Sequence, residues 1–405
     1  MHRAEPPTAR GLRGRVPGGW LLLACIALVA LVLRSPLVAI GPVLGQLQQD
    51  LGISAAGAGL LTTIPVLCFA VASPLASLVI RRFGVELSIT LTLLGVLAGM
   101  CVRSAGGTSA TMLGTVVVGV AITLGNIAVP LLIRRDFRPH RQAAATGIYT
   151  AALNIGSTLA ALLTAPVAEL AGWRVALASS SVAVVAGFVV WLLTVGVRRS
   201  LLPDPAPVPA RTGGAPAGGR WVAAGLAAGF AGQAFAFYGM TAWLPTLLVD
   251  VVRMSLVEAG AASSFFHVFA IAGALGVPLA ARGLSTVTVA ASVGVMWLFL
   301  PVGMLLAPAQ WWVWTAVGGV AQGAGITVIF IAIMRLAHDG PSAGRISAAV
   351  QAVGYGSGAL APTVLGFVHE RTASWSASLL VVLAATLVYL LCTTVAVRFV
   401  AARQE

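Results

Sequence analysis

Residues 21–40 read LLLACIALVALVLRSPLVAI, an apolar run long enough to cross a bilayer that contains one charge, Arg34. A transmembrane helix needs about 20 such residues, and an arginine at its centre costs roughly 2.5–3.5 kcal/mol. At ~1.5 Å per residue, Arg34 lies about 21 Å beyond Trp20, too deep for its side chain to reach the starting side easily. We interpret it as a charge that faces the substrate; the alternative is a donor that holds carbonyl groups at the Ser35-Pro36 kink.

The rest of the chain has the same apolar character. Of its 405 residues 59% are hydrophobic and 9% are charged, which excludes an ordinary soluble globular protein. Twelve apolar stretches are long enough to span a membrane, and they begin near Trp20, Gly57, Leu87, Thr111, Ala143, Trp173, Trp221, Val257, Leu284, Trp311, Ile346 and Trp375. We therefore expect an all-α membrane protein with twelve transmembrane helices and no soluble domain of any size.

The net charge of +13 comes from 24 basic residues, all of them arginines, and their placement is uneven. If the N-terminus is cytoplasmic, only Arg103, Arg174, Arg253 and Arg371 fall outside, and Arg34 alone lies deep in a predicted helix. The other nineteen fall inside: Arg3, Arg10, Arg13, Arg15, Arg81, Arg82, Arg134, Arg135, Arg138, Arg141, Arg198, Arg199, Arg211, Arg220, Arg282, Arg335, Arg345, Arg398 and Arg403. This positive-inside pattern predicts cytoplasmic termini in a bacterial cytoplasmic (inner) membrane, so the charge requires no nucleic-acid partner.

The chain divides into two similar halves. Residues 198–220 are rich in Pro and Gly and form the longest polar segment, which predicts a cytoplasmic linker. Around it we expect a tail at 1–19, six-helix bundles at 20–197 and 221–398, and a tail at 399–405. The halves share landmarks in the same order: Pro42 with Pro245, Gly119 with Gly319, Arg135 with Arg335, Gly156 with Gly356, and Trp173 with Trp375. Such a parallel repeat implies a binding site between two bundles that rock against each other.

Seven short segments carry a family resemblance. They are LRSPL with GP within residues 33–42, GLLTTIPVLCF at 59–69, RRFG at 81–84, Gly125-Asn126 followed by Pro130, YTAA at 149–152, GWR at 172–174 and FYGMTAWLPT at 237–246. With these segments the chain resembles the major facilitator superfamily, and within it the cyanate and 2-nitroimidazole (CynX/NimT-like) transporter group. The resemblance implies the two-bundle fold of that superfamily and a secondary transporter that works by alternating access. It also implies that helices 1, 4, 7 and 10 surround a central cavity and that helices 2, 5, 8 and 11 lie between the halves.

Polar residues fall on these helices at helical spacing, although packing is the alternative role for any one of them. The predicted substrate-binding residues are Arg34, Asn126, Tyr238, Gln322, Gln351 and Tyr355. The predicted gating or coupling residues are His267, Arg81, Arg82, Glu86 and Asn154. Glu86 is included because Arg81 stands where the superfamily pattern has an acid. His267 is either a neutral imidazole bonded to a neighbouring helix or a proton carrier.

The acidic residues limit the substrate. All eleven lie in tails, loops or helix ends, so no carboxylate stands in mid-membrane to receive a cation. We expect a small anionic or nitrogen-rich polar solute, cyanate-like or nitroimidazole-like; the alternative is an exporter of drugs or metabolites. Import of an anion against 100 mV costs about 2.3 kcal/mol, and the sequence does not choose between proton symport, exchange and export.

Other classes of protein are excluded by what the sequence lacks. A membrane enzyme would need a cluster of His, Asp, Glu or Cys near one membrane face, and the sequence has none. We therefore predict no catalytic residue, no metal and no cofactor. The expected partners are the small-molecule substrate and the lipid bilayer, and we expect a monomer.

Overall fold

The computed structural model describes residues 19–204, 219–337 and 343–401, and these ranges are helical almost throughout. The helices, in chain order, are α1 (Gly19–Val38), α2 (Leu44–Leu51), α3 (Ala55–Val71), α4 (Ser73–Phe83), α5 (Val85–Ala105), α6 (Thr108–Asp136), α7 (Pro139–Ser179), α8 (Ser181–Val195), α9 (Val197–Leu201), α10 (Gly219–Leu247), α11 (Leu256–Ala280), α12 (Thr286–Leu306), α13 (Trp311–Ala337), α14 (Ala343–Thr372) and α15 (Trp375–Ala401). Short 3₁₀ turns lie at Gly41–Val43 and Pro308–Gln310, and a π turn lies at Leu248–Val252.

Twelve membrane spans follow from these helices. Nine helical stretches in the described ranges are long and apolar enough to cross a membrane, and α3 and α4, bent by 58°, form a tenth. One of the nine, residues 147–195, contains two spans because Gly172 (φ 81°, ψ 161°) breaks α7. The 30-residue helix α14 packs against α3 and α10 and completes the set. The predicted all-α fold of twelve spans is confirmed, and each predicted start lies within four residues of an observed one.

The segment between the halves is partly helical. Residues 198–201 of the predicted linker belong to α9, and the Asp204 N–H donates a hydrogen bond to the Phe83 carbonyl at 3.2 Å. These residues therefore pack on the first bundle instead of forming a free loop. Residues 205–218 and most of both predicted tails lie outside the described residues, so the boundaries of the linker and tails stay predictions.

Each half contains the same hydrogen bond between its first and sixth spans, which we call a clasp. In the first half the Trp173 indole donates to the Asp50 carboxylate at 2.9 Å, and in the second the Trp375 indole donates to Asp250 at 2.8 Å. The tryptophan pair is a landmark of the repeat seen in the sequence; the aspartate pair is not. A bond to a charged acceptor is among the stronger hydrogen bonds, so each clasp stabilises the end of its bundle opposite the chain termini.

The halves meet at that same end. Thr63 on α3 and Thr363 on α14 share a hydrogen bond of 2.9 Å, and a Cβ added at Gly59 would lie 2.7 Å from the Pro362 carbonyl oxygen. Similarly, a Cβ at Gly260 on α11 would lie 3.0 Å from the carbonyl oxygen of Ala161 on α7. Small residues therefore bring the two bundles into backbone contact at the end away from the termini.

The outward faces of the helices are apolar. Large hydrophobic side chains are exposed along most spans, among them Leu94, Leu163, Leu193, Leu391 and Phe399. Such a continuous apolar surface requires lipid around it, because soluble proteins expose only limited apolar patches. Trp20 and Trp221, at the start of each half, are 80% and 86% exposed, as is typical of indoles at a membrane interface.

Candidate functional site

Arg34 lies at the boundary between the two halves. It is half-buried on α1, two residues before Pro36, which lies within the last turn of that helix. Its Nη1 donates to the Tyr238 hydroxyl of α10 at 3.5 Å, at the long limit for a hydrogen bond. Its guanidinium carbon lies 5.2 Å from the ring centre of Phe237 and 5.9 Å from that of Tyr238, which places the charge over two aromatic faces.

The repeat explains why these groups meet. Pro42 lies eight residues after Arg34, and Pro245 lies eight residues after Phe237. Arg34 and Phe237 therefore occupy matching places in the first span of each half. Because the two first spans face each other across the pseudo-symmetry axis, these matching positions come together.

Three further polar residues surround this arginine. The Tyr149 hydroxyl of α7 donates to Asn126 Oδ1 of α6 at 3.3 Å. Both Tyr149 and Tyr355 of α14 lie close enough to Arg34 to interact with its charge, and Tyr355 also interacts with Tyr238. We name this group the Arg34 cluster: Arg34, Asn126, Tyr149, Tyr238 and Tyr355. It draws on five spans from both halves, and four of its five residues are among those predicted from the sequence.

No carboxylate neutralises the cluster among the residues that the structure describes. The described ion pairs of arginine are those of Arg135 with Glu86 and Asp136 and of Arg174 with Asp50. All described acids lie at helix ends or in loops: Asp50, Glu86, Asp136, Glu169, Asp204, Asp250, Glu258 and Glu370. The cluster therefore offers one fixed positive charge, three phenol hydroxyls and one amide, a set that suits an anion or an electron-rich group.

Arg103 corrects one expectation. The sequence assigned it to an outer loop and left Arg34 as the only basic residue deep in a helix, but Arg103 is 1% exposed on α5. Its Nη1 donates to the Pro36 carbonyl at 2.9 Å. The second role considered for Arg34, holding a carbonyl at the Ser35-Pro36 kink, is thus filled by Arg103. Arg34 remains available for another role.

The two predicted glutamines differ in what the structure describes of them. Gln322 contributes its backbone carbonyl, which accepts a bond of 2.8 Å from the Gln233 amide. The same Gln233 side chain accepts a bond of 2.5 Å from the Trp297 indole, so this network joins α10, α12 and α13 as a packing element. Gln351 is half-buried on α14, one helical turn before Tyr355. For both glutamines a role in binding stays a prediction.

The predicted gating residues lie apart from one another. Glu86 makes a two-point ion pair with Arg135, with N–O distances of 2.6 and 3.1 Å. This pair joins α5 to α6 within the first half, and no described contact joins Glu86 to the second. Hydrogen bonds to Asp136 and to Glu86 raise the pKa of Arg135 above its ordinary value, so this arginine stays charged.

The remaining residues of that set differ in their surroundings. Arg81 and Arg82 are exposed at the end of α4, and Asn154 bonds the Thr150 carbonyl of its own helix at 3.0 Å. His267 is 2% exposed on α11, and its Nδ1 has no hydrogen-bond partner among the described residues. The neighbouring-helix bond considered for this imidazole is therefore absent at Nδ1. Gating roles for all of these residues stay predictions.

Sequence reasoning missed Tyr149 and Phe237 as members of the site. Both stand inside segments that carry the family resemblance, YTAA at 149–152 and FYGMTAWLPT at 237–246. Two signals in the sequence point to them. Tyr149 stands next to Thr150 and five residues before the predicted Asn154, and Phe237 occupies the place in the second half that Arg34 occupies in the first. A surface depression of about 600 Å³ lies elsewhere, around Asp50, Trp173 and Arg174.

Comparisons with known proteins agree with this architecture. The sequence profile of the Major Facilitator Superfamily matches residues 21–362. The chain is 30% identical to the 2-nitroimidazole transporter of Escherichia coli (strain K12) over 379 residues, which cover 89% of this chain and 91% of that protein. It is 25% identical to the cyanate transport protein CynX of the same organism over 357 residues, 87% of this chain and 91% of that one.

Solved structures extend the comparison to the fold. A bacterial homolog to the human lysosomal transporter Spinster, in an inward-facing and occupied conformation, superimposes with a TM-score of 0.74. The match covers 96% of this chain and 98% of that one at 16% sequence identity. At this identity the likeness concerns the arrangement of helices alone.

Proposed function

The chain belongs to the Major Facilitator Superfamily and is a multi-pass membrane transporter, and from this premise we propose that it is a secondary active carrier of a small anionic or nitrogen-rich polar solute. The solute crosses the cytoplasmic membrane of a bacterium by alternating access. It is cyanate-like or nitroimidazole-like, and it is held by Arg34 between the two bundles. The protein acts as a monomer in the lipid bilayer and needs no nucleic-acid partner.

One observation carries this proposal: a half-buried guanidinium at the boundary between the bundles has no carboxylate partner among the described residues. A charge placed in a membrane span is costly, and it persists where it faces a substrate or a water-filled path. Because Arg34 belongs to the first bundle and Tyr238 to the second, rocking of the bundles alters the arginine's surroundings. Binding and movement are therefore linked at this residue.

The second candidate function is export of a larger apolar drug or metabolite. The aromatic rings around Tyr355 favour it, since Phe230 lies 5.3 Å and Phe69 lies 5.9 Å from its ring centre. A single fixed positive charge among three phenols favours the small anion. Uptake into proteoliposomes separates the two functions: we expect saturable entry of radiolabelled cyanate, and transport of a lipophilic dye in its place supports the exporter.

The orientation of the chain makes a direct prediction. In a variant with Cys25, Cys68, Cys101 and Cys392 replaced by serine, Arg253→Cys reacts with a membrane-impermeant maleimide in intact cells, whereas Arg282→Cys reacts only after the cells are opened. The reason is that the Arg253 turn is expected outside and the exposed Arg282 loop inside. The opposite labelling pattern contradicts cytoplasmic termini.

Alternating access makes a second prediction. In the same cysteine-free variant, cysteines at Thr63 and Thr363 form a disulfide under mild oxidation, because the two hydroxyl oxygens lie 2.9 Å apart across the halves. The disulfide prevents the bundles from separating at that end, so transport falls to background and returns on reduction. Each single cysteine serves as the control. Unchanged transport by the oxidised pair rules out separation of the halves at this contact.

A further inference from the structure

His267 lies beside the Arg34 cluster on the helix that faces the opposite half. It is 2% exposed on α11, which packs against α7 of the first half and against α10 and α13 of its own. Its ring lies 6.3 Å from that of Phe237, and Arg34 lies 5.2 Å from the same Phe237 ring. The imidazole and the guanidinium therefore both lie next to one aromatic ring, and the charge of Arg34 acts on His267.

No other group competes for the proton at this depth within the described residues. At this depth the ionisable or charged groups on the elements around His267 are Arg34 on α1, Tyr149 on α7, Tyr238 on α10 and Tyr355 on α14. The Arg335 side chain of α13 lies outside the described residues. The other described ionisable side chains of α7 and α14 lie toward the helix ends: Arg141, Glu169, Arg174, His369, Glu370 and Arg371. On α11 itself, Glu258 lies nine residues earlier and is held in an N-terminal cap by Ser255. The imidazole Nδ1 is buried without a hydrogen-bond partner among the described residues, so uptake of a proton there breaks no existing hydrogen bond.

Electrostatics links this nitrogen to the solute. In the empty site an imidazolium beside the Arg34 guanidinium brings two like charges together in surroundings of low dielectric constant, which is unfavourable. An anion bound at Arg34 cancels that repulsion. Anion binding thus favours protonation of His267, and by reciprocity protonation tightens anion binding by the same factor.

From this arrangement we infer that His267 carries one proton together with each anion, so that the protein is an electroneutral proton–anion symporter. This inference rests on the proposed function. The proton enters from the outer side, binds imidazole nitrogen while the anion binds Arg34, and leaves to the inner side with it. The loaded site carries no more charge than the empty one, so the membrane potential does not oppose import and a pH gradient drives accumulation.

The test uses proteoliposomes, radiolabelled cyanate and the His267→Gln variant, which keeps a polar side chain that does not titrate. Wild type is expected to accumulate cyanate when the outside is acidic, with one proton entering per cyanate, and to exchange internal for external cyanate without a gradient. At saturating cyanate, where a weaker affinity does not limit the rate, His267→Gln is expected to exchange within about twofold of wild type and to lose gradient-driven accumulation. The matched control is His369→Gln, at a described histidine whose ring stacks on that of Trp375 with ring centres 4.0 Å apart. This variant is expected to retain both exchange and gradient-driven accumulation.

Binding measured against pH gives an independent readout. In wild type the apparent affinity for cyanate improves as pH falls, by up to about tenfold per pH unit, and in His267→Gln it does not change. Accumulation by His267→Gln at the wild-type level overturns the inference, as does loss of exchange together with accumulation in a folded variant. Wild type that exchanges cyanate but takes it up from an acidic outside without net proton entry contradicts the symport alone. Wild type that does not exchange cyanate at all contradicts the proposed function, and the symport with it.

Discussion

Replacing Arg34 by alanine abolishes solute binding while the purified protein stays folded. Truncating one partner of a desolvated, hydrogen-bonded charge pair costs roughly 2–5 kcal/mol, which corresponds to an affinity lower by about 30- to 5,000-fold. Arg34→Lys keeps the charge but loses the planar fork of donors, so its affinity falls between those of wild type and alanine. Insertion into the membrane is unaffected, because neither variant adds charge to α1.

Equilibrium binding of radiolabelled cyanate and the midpoint of thermal unfolding in detergent provide the measurement. Arg282→Ala, which removes an arginine from an exposed loop, is the matched control and binds as wild type does. If Arg34→Ala keeps its affinity but unfolds at a lower temperature, the arginine holds the fold and the solute binds elsewhere.

The second large effect concerns a glycine behind the same arginine. A Cβ at Gly156 of α7 would overlap the backbone carbonyl of Leu31 on α1, one turn before Arg34. Backbone atoms have little room to yield, so we expect Gly156→Ala to destabilise the protein by about 1–3 kcal/mol and to weaken binding by moving α1.

Gly147 offers a matched control on the same helix. A Cβ at this position has nothing within 4 Å, so Gly147→Ala leaves the thermal midpoint unchanged or slightly higher, since alanine favours a helix. Equal midpoints for the two alanine variants contradict the close approach of α1 and α7. If Gly156→Ala unfolds at a lower temperature but binds cyanate as wild type does, the contact between α1 and α7 stabilises the fold without determining the position of Arg34.

Much of the fold is readable from the sequence because a bilayer imposes simple rules. Each span needs about 20 apolar residues, so the starts of the helices follow from composition, and the break at Gly172 follows from the Trp173 that begins the next span. Arg34 is readable for the same reason, since a charge in such a run is conspicuous. The repeat then indicates which spans face each other.

The contacts of individual side chains depend on how the helices pack, and the sequence alone does not predict them. Arg103 lies two residues from the end of α5, where counting along the helix places it in water, yet its side chain reaches the Pro36 carbonyl of another helix. Gln322 lies on the expected span, but its backbone carbonyl makes the described bond. The clasps formed by Asp50 and Asp250 likewise require the positions of helices distant in sequence. The partners of these side chains depend on the distances between helices, and the periodicity of apolar residues in the sequence does not give those distances.

The most direct test of the account locates a bound anion. Selenocyanate is a linear anion whose selenium scatters X-rays anomalously, and its competition with radiolabelled cyanate first establishes that both use one site. In crystals soaked with it, we predict an anomalous peak beside the Arg34 guanidinium, between Asn126 and Tyr238, that is absent in Arg34→Ala. Peaks at surface arginines such as Arg174 with none at Arg34, in a protein that selenocyanate occupies in solution, contradict the account.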